Sequence, residues 1–135
     1  AAPEAGMNGW WLAAAALLVL IGIAHSVLGE RRIFRHLRAG TLVPEAGAPV
    51  LRAYQTRILW GSWHLVSVFG WTLAAVLAWR AGPGHAEGGS ALEMVVAAGL
   101  MAASALAAWA TRGRHIGWVA LLAAAALVLA GLLQR

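Results

Sequence analysis

Four long apolar runs constrain this chain more than any other feature of its sequence. A helix needs about 20 mostly apolar residues to cross a hydrocarbon core about 30 Å thick. Runs of about this length cover residues 9–28, 59–79, 91–110 and 116–133. Only 11% of the residues are charged, against about 25% in soluble domains. The sequence therefore predicts an all-α integral membrane protein, with a single domain over residues 1–135 built as a bundle of four transmembrane helices.

The distribution of arginine predicts how these helices are oriented. Lysine and arginine are retained in cytoplasmic loops, and every such residue in this chain is an arginine. Eight arginines fall between the first and second runs or between the third and fourth, whereas Arg80 and Arg135 fall on the opposite side. This asymmetry predicts that both termini lie outside, in the periplasm, and that the loop over residues 30–56 is cytoplasmic.

The first part of this loop has its own pattern. Residues 30–38 mix apolar side chains with arginines, which predicts an amphipathic helical extension lying at the headgroups, in contact with membrane lipids. Pro44 and Pro49 are expected to break it. The opening residues 1–6, AAPEAG, are expected to form a tail outside the fold. Because the arginines lie in short loops rather than on a soluble face, the basic charge does not indicate a nucleic-acid partner.

Polar side chains within the runs gather at one depth. His25 lies near the cytoplasmic end of the first run and His64 near the start of the second, so both are expected roughly 6 to 10 Å below that surface. The fourth run begins on the same side. Ionisable residues inside a span usually face the bundle interior, which makes them candidates for function. The candidate binding residues are His25, His64, Arg57, Arg114, Trp60 and His115.

A structural interpretation of these residues stays open. A neutral histidine can hydrogen-bond a neighbouring helix, and tryptophan is common at membrane interfaces. His115 can simply lie at the headgroups. Glu93 is expected to be an interfacial or first-turn residue, where the helix dipole favours an acid.

Helical spacing sorts the cluster into two stripes, since residues three, four or seven apart share a face. The stripe in the second run consists of Arg57, Trp60, Gly61, His64, Ser67 and Trp71. The stripe in the first run consists of Gly22, His25, Ser26 and Gly29. Small residues allow a neighbouring backbone to approach closely. The two stripes therefore predict a tightly packed bundle.

Two neutral imidazoles at matching depth on facing helices are what bis-histidine ligation of a b-type haem requires. His25 and His64 are the candidate iron ligands, and nearby arginines can pair with the propionates. The order His25-Ser-Val-Leu-Gly-Glu-Arg31 resembles the H-x-x-x-G-x-R pattern of the cytochrome b membrane anchor of succinate dehydrogenases. The resemblance implies electron transfer, with haem on His25 and Arg31 near a quinone. Arg32 stands where that pattern has a second histidine.

Other functions fit the same residues. Arginines and tryptophans suit a pocket for an anionic amphiphile, a quinone or a lipid, in a binding or transport protein. The Ala-rich third and fourth runs suit an accessory or structural subunit of a larger membrane complex or a homo-oligomer. A zinc site is less favoured because Glu30 lies five residues from His25, off its helical face. No phosphate loop or nucleophile elbow is present, so catalytic residues and enzyme activity stay unassigned.

Two short motifs resemble those of a group of small four-span proteins of the bacterial inner membrane whose function is uncharacterised. The first motif is H-x-x-x-G-E, which runs from His25 to Glu30, and the second is W-H-x-x-S, which runs from Trp63 to Ser67. The resemblance covers the first two runs. It implies a four-helix fold and a multi-pass location in the bacterial inner (cytoplasmic) membrane.

Overall fold

The computed structural model describes residues 6–40, 51–85 and 89–134, and within these ranges the chain forms helices and no strand. The elements are α1 (Gly9–Gly29), a π-helical turn (Glu30–Phe34), α2 (Arg35–Arg38), α3 (Ala53–Arg80), α4 (Ala91–Ala110) and α5 (Gly117–Leu132). The predicted all-α architecture is confirmed, and the four main helices have 21, 28, 20 and 16 residues. Pro44, Pro49, Arg135 and all of the predicted tail except Gly6 lie outside the described residues.

Local signals explain where the first two long helices begin and end. Asn8 caps α1, since its side-chain oxygen accepts the backbone N–H of Trp11 at 3.2 Å. The helix then continues past Gly29 through the π turn into α2, in agreement with the predicted helical extension. α3 begins at Ala53, before the apolar run starts, because the Gln55 side chain accepts the N–H of Arg52 at 2.8 Å. Hydropathy alone does not detect this polar first turn.

The last two helices differ in length. α4 has the predicted bounds and ends at a turn in which Arg112 and Gly113 have φ angles of 51° and 73°. α5 has only 16 residues, which correspond to about 24 Å and fall short of the ~30 Å hydrocarbon core. α1 with its extension, α3 and α4 are long and apolar enough to cross a membrane. Length and composition therefore support three crossings, and α5 is a shorter apolar helix.

The helices pack in the order α3, α1, α5, α4, so α1 lies between α3 and α5. They run alternately up and down. The start of α1 meets the end of α5, where the Asn8 Nδ2 donates to the Gly131 carbonyl at 2.9 Å. All four contribute to one buried core, formed by Ala14, Ala15, Leu18, Ala74, Leu77, Val96, Ala97, Leu100, Ala124, Ala125 and Val128. We call the two ends of the bundle the Asn8 end and the His64 end.

Three tryptophan–glycine contacts join α1 to its neighbours α3 and α5. In each contact an indole lies where a side chain on the facing glycine would be, so that an added Cβ would overlap the ring. The pairs are Trp63 on Gly29, Trp71 on Gly22 and Trp11 on Gly131. Each indole N–H also donates to a backbone carbonyl of the facing helix, at His25 (3.0 Å), Val19 (3.3 Å) and Val128 (3.1 Å) respectively. Glycine is therefore required on one helix so that tryptophan can hydrogen-bond its backbone.

Candidate functional site

A chain of hydrogen bonds joins α1 to α3 near the His64 end. The Nδ1 atom of His64 lies 2.8 Å from the Ser26 hydroxyl. The Ser26 hydroxyl donates to that of Ser67 at 2.9 Å, and Ser67 donates to the Gly22 carbonyl at 3.0 Å. Ser67 is buried. The small residues of both predicted stripes therefore meet directly, and the two serine hydroxyls are hydrogen-bonded between the helices.

Counting donors assigns the tautomer of His64. Each serine hydroxyl has one proton, and those of Ser67 and Ser26 are already donated along the chain. The Ser26 oxygen therefore accepts from His64, so Nδ1 carries the ring proton and the Nε2 of the neutral ring holds a lone pair. This Nε2 is buried and has no hydrogen-bond partner within the described ranges. An unpaired buried acceptor costs about 1–3 kcal/mol, which a bound donor would recover.

His25 lies beside this chain in a different environment. Its ring stacks on the Trp63 indole, with centroids 4.4 Å apart and an angle of 7° between the planes. Its Nε2 is also buried without a partner among the residues described. Phe34 packs edge-on against Trp63 at 5.8 Å. The two histidines therefore present two unpartnered Nε2 atoms on adjacent helices, each ring packed against its own tryptophan.

Aromatic side chains cover His64. The ring centroid of Trp60 lies 4.6 Å from that of His64, and the Phe34 centroid lies at 6.2 Å. The Trp60 indole donates to Glu30 at 3.3 Å, and Glu30 forms an ion pair with Arg38. Trp60 is 45% exposed, whereas Phe34 is buried. The rings of Trp60 and Phe34 therefore flank His64, with Trp60 partly exposed and Phe34 in the interior.

The remaining predicted site residues lie apart from this cluster. Arg57 and Arg114 are exposed, and their side chains make no hydrogen bond or ion pair with any other residue of the described ranges. The His115 Nδ1 accepts the N–H of Gly117 at 3.1 Å, at the start of α5. The structure thus brings together three of the six predicted residues: His25, His64 and Trp60. The role of Phe34 was not predicted, because only the π turn directs it between α1 and α3.

A second buried polar cluster lies at the Asn8 end. Arg80, the last residue of α3, donates to Glu93 of α4 at 2.5 Å, and their side chains are 8% and 0% exposed. Arg80 also donates to the Gly89 carbonyl at 3.0 Å, and its guanidinium carbon lies 6.0 Å from the Trp11 ring centroid. Glu93 does occupy the first turn of α4, as predicted. Its carboxylate is buried in the ion pair with Arg80, because the ends of α3 and α4 converge here.

No protein-family model, no curated protein and no solved structure matches this chain. Among the described residues, no group of three or more histidine, aspartate or glutamate side chains is placed to hold a metal ion. Conclusions about function therefore depend on the geometry around His64 and His25.

Proposed function

We propose that this chain is a multi-pass protein of the bacterial inner membrane that crosses the bilayer four times with both termini in the periplasm. Three helices have the length and hydropathy for a crossing. A fourth crossing by α5 is supported by its packing along α1 and α4 and requires local thinning of the bilayer, as short helices do. The arginine asymmetry supports the orientation, with the His64 end at the cytoplasmic surface.

We expect single cysteines to report this orientation without background, since the native chain has no cysteine. Met7→Cys and Pro83→Cys, both at exposed positions of the Asn8 end, should react with a membrane-impermeant maleimide added to intact cells. Ala39→Cys, exposed after α2, should react only after permeabilisation. Labelling of Ala39→Cys alone in intact cells would mean the opposite orientation.

For the site, we propose that the α1–α3 pair binds the hydroxylated ring of a quinol. The observation that supports this is the buried Nε2 of His64, which has no hydrogen-bond partner in the described part of the chain. The hydrogen bonds from His64 to Ser26 and from Ser26 to Ser67 fix the orientation of the imidazole, so that its Nε2 can accept a hydrogen bond from a ligand. A quinol hydroxyl is such a donor, and the rings of Trp60 and Phe34 offer flat apolar walls for its ring. A bound quinol would satisfy the Nε2.

A b-type haem is the second candidate, supported by the two unpartnered Nε2 atoms on adjacent helices. A haem between His25 and His64 would have to part α1 from α3 where Ser26 hydrogen-bonds both His64 and Ser67. A quinol ring entering at Trp60 leaves these bonds intact. The packing therefore favours the quinol, and His25 and His64 would hold the iron only if the helices separate.

We expect His64→Ala to reduce quinol retention by roughly 2- to 12-fold, because one net hydrogen bond is worth about 0.5–1.5 kcal/mol. The measurement is the quinol content of protein purified in mild detergent, by extraction and mass spectrometry, alongside its oxidised and dithionite-reduced visible spectra. His85→Ala, an exposed histidine at the Asn8 end, is the control and should retain quinol fully. Protein without quinol but with a Soret band that both His25→Ala and His64→Ala abolish would establish haem instead. Purified protein that holds no quinol and shows no Soret band would contradict both cofactor proposals and favour the accessory-subunit interpretation.

A further inference from the structure

An apolar groove runs between α1 and α3 in the half of the bundle towards the Asn8 end. Its volume is about 370 Å³, more than twice that of a cavity of about 150 Å³ that binds benzene. Its walls include Leu12, Ala16 and Val19 of α1 and Trp71, Ala75 and Ala78 of α3. Because five of the eight residues that line the groove are alanines, it leaves room for a chain-like guest.

Residue spacing places this groove and the His64 site along the same faces of α1 and α3. Residues seven apart lie on nearly the same face of a helix. On α1, Leu12 and Val19 line the groove, and Ser26 follows seven residues later. On α3, Ala78 and Trp71 line it, and His64 precedes Trp71 by seven. Because Ser26 and His64 are hydrogen-bonded to each other, they mark the cytoplasmic continuation of the two groove walls.

Trp71 stands at the boundary between the two parts. Its indole N–H donates to the Val19 carbonyl at 3.3 Å, and the ring lies against Gly22, whose carbonyl receives the last hydrogen bond from Ser67. Polar contacts therefore lie on one side of Trp71 and apolar side chains on the other. This division matches an amphiphile with a polar ring at His64 and an apolar tail directed towards the Asn8 end.

We infer that the groove holds the isoprenoid tail of the quinol, an inference that rests on the proposed ring site at His64. A tail that leaves the bilayer for the groove gains nothing from the hydrophobic effect, because lipid chains are equally apolar. It gains dispersion contacts with the groove walls, and these depend on shape. The groove therefore selects for tailed quinols over tail-less ones.

The test places a larger side chain in the groove at a position outside the buried core. Ala16 lines the groove and is exposed, and Ala13 is exposed on the same helix away from the groove. Ala16→Leu and Ala13→Leu are therefore a matched pair. Each variant is placed in phospholipid nanodiscs, and quenching of tryptophan fluorescence reports the binding of an isoprenoid-tailed quinol and of the same ring without a tail.

We expect Ala16→Leu to weaken binding of the tailed quinol at least threefold and to leave the tail-less quinol unchanged, whereas Ala13→Leu changes neither. Equal binding of the tailed quinol by Ala16→Leu and the unmodified protein would overturn the inference while leaving the ring site intact. A loss of co-purified phospholipid in Ala16→Leu, with unchanged quinol binding, would assign the groove to a lipid chain and overturn it as well. If the unmodified protein binds neither quinol, the ring site itself is refuted.

Discussion

Replacing Glu93 with alanine is expected to lower the free energy of unfolding by about 3–5 kcal/mol, the usual cost of breaking a buried ion pair by removing one partner. The reason is the position of Arg80, whose side chain is only 8% exposed and lies against Glu93 and Trp11. Without the carboxylate, the guanidinium loses its charged partner while it stays largely buried. Unfolding by SDS in mixed micelles, followed by circular dichroism, measures the change.

A double variant separates loss of charge balance from loss of packing. Arg80→Met combined with Glu93→Leu removes both charges and introduces apolar side chains of roughly similar size. Such replacements of a buried ion pair are often neutral or stabilising. We therefore expect the double variant to recover most of the stability that Glu93→Ala loses. A double variant as unstable as Glu93→Ala would show that the hydrogen bonds from Arg80 to the loop, rather than the ion pair, hold α3 and α4 together.

The second large effect is expected at Gly29. In Gly29→Ala the added methyl group would overlap the Trp63 indole, so the ring has to move and its hydrogen bond to the His25 carbonyl is lost. Overpacking costs about 1–3 kcal/mol, and alanine recovers about 1 kcal/mol of helix propensity. With the lost hydrogen bond, we expect a net destabilisation of about 2 kcal/mol, measured by the same SDS titration.

Gly61→Ala is the matched control for Gly29→Ala. Gly61 lies within α3, and a Cβ at this position would meet nothing within 4 Å. The substitution should therefore be neutral or stabilise the protein by up to about 1 kcal/mol. If Gly29→Ala and Gly61→Ala gave the same stability, the Trp63–Gly29 contact would not be important for packing.

The helices were predictable because each apolar run is longer than the apolar stretches of helices in soluble proteins. Hydropathy alone therefore located three of the four helices to within a residue at both ends. The start of α3 was missed because its first turn is polar and depends on the Gln55 side chain. α5 is one residue shorter at each end than its apolar run. It begins only at Gly117, after a turn that two left-handed residues impose.

Spacing also placed Ser26, His64 and Ser67 on the stripes that meet, because a face follows from helical periodicity. Which side chains pair across the interface depends on the rotation and offset of both helices, and one sequence does not contain that information. The Ser26–His64 bond and the three tryptophan–glycine contacts were missed for this reason. The ion pair between Arg80 and Glu93 was missed because a count of charges on each side of the membrane does not show which helix ends converge.

The central position of α1 determines when the bundle can be completed during synthesis. α1 and α3 carry the whole Ser26–His64 network and two of the tryptophan–glycine contacts, so they can pair while the ribosome is still making the rest of the chain. The Asn8–Gly131 hydrogen bond joins residues 123 positions apart. The hydrogen bond from the Trp11 indole to the Val128 carbonyl likewise cannot form before α5 has been made. Because α5 follows α1 at such a distance in the chain, α1 can pair with α3 well before α5 has been made. Until α5 is made, the face of α1 that it will cover remains open to lipid or to chaperones.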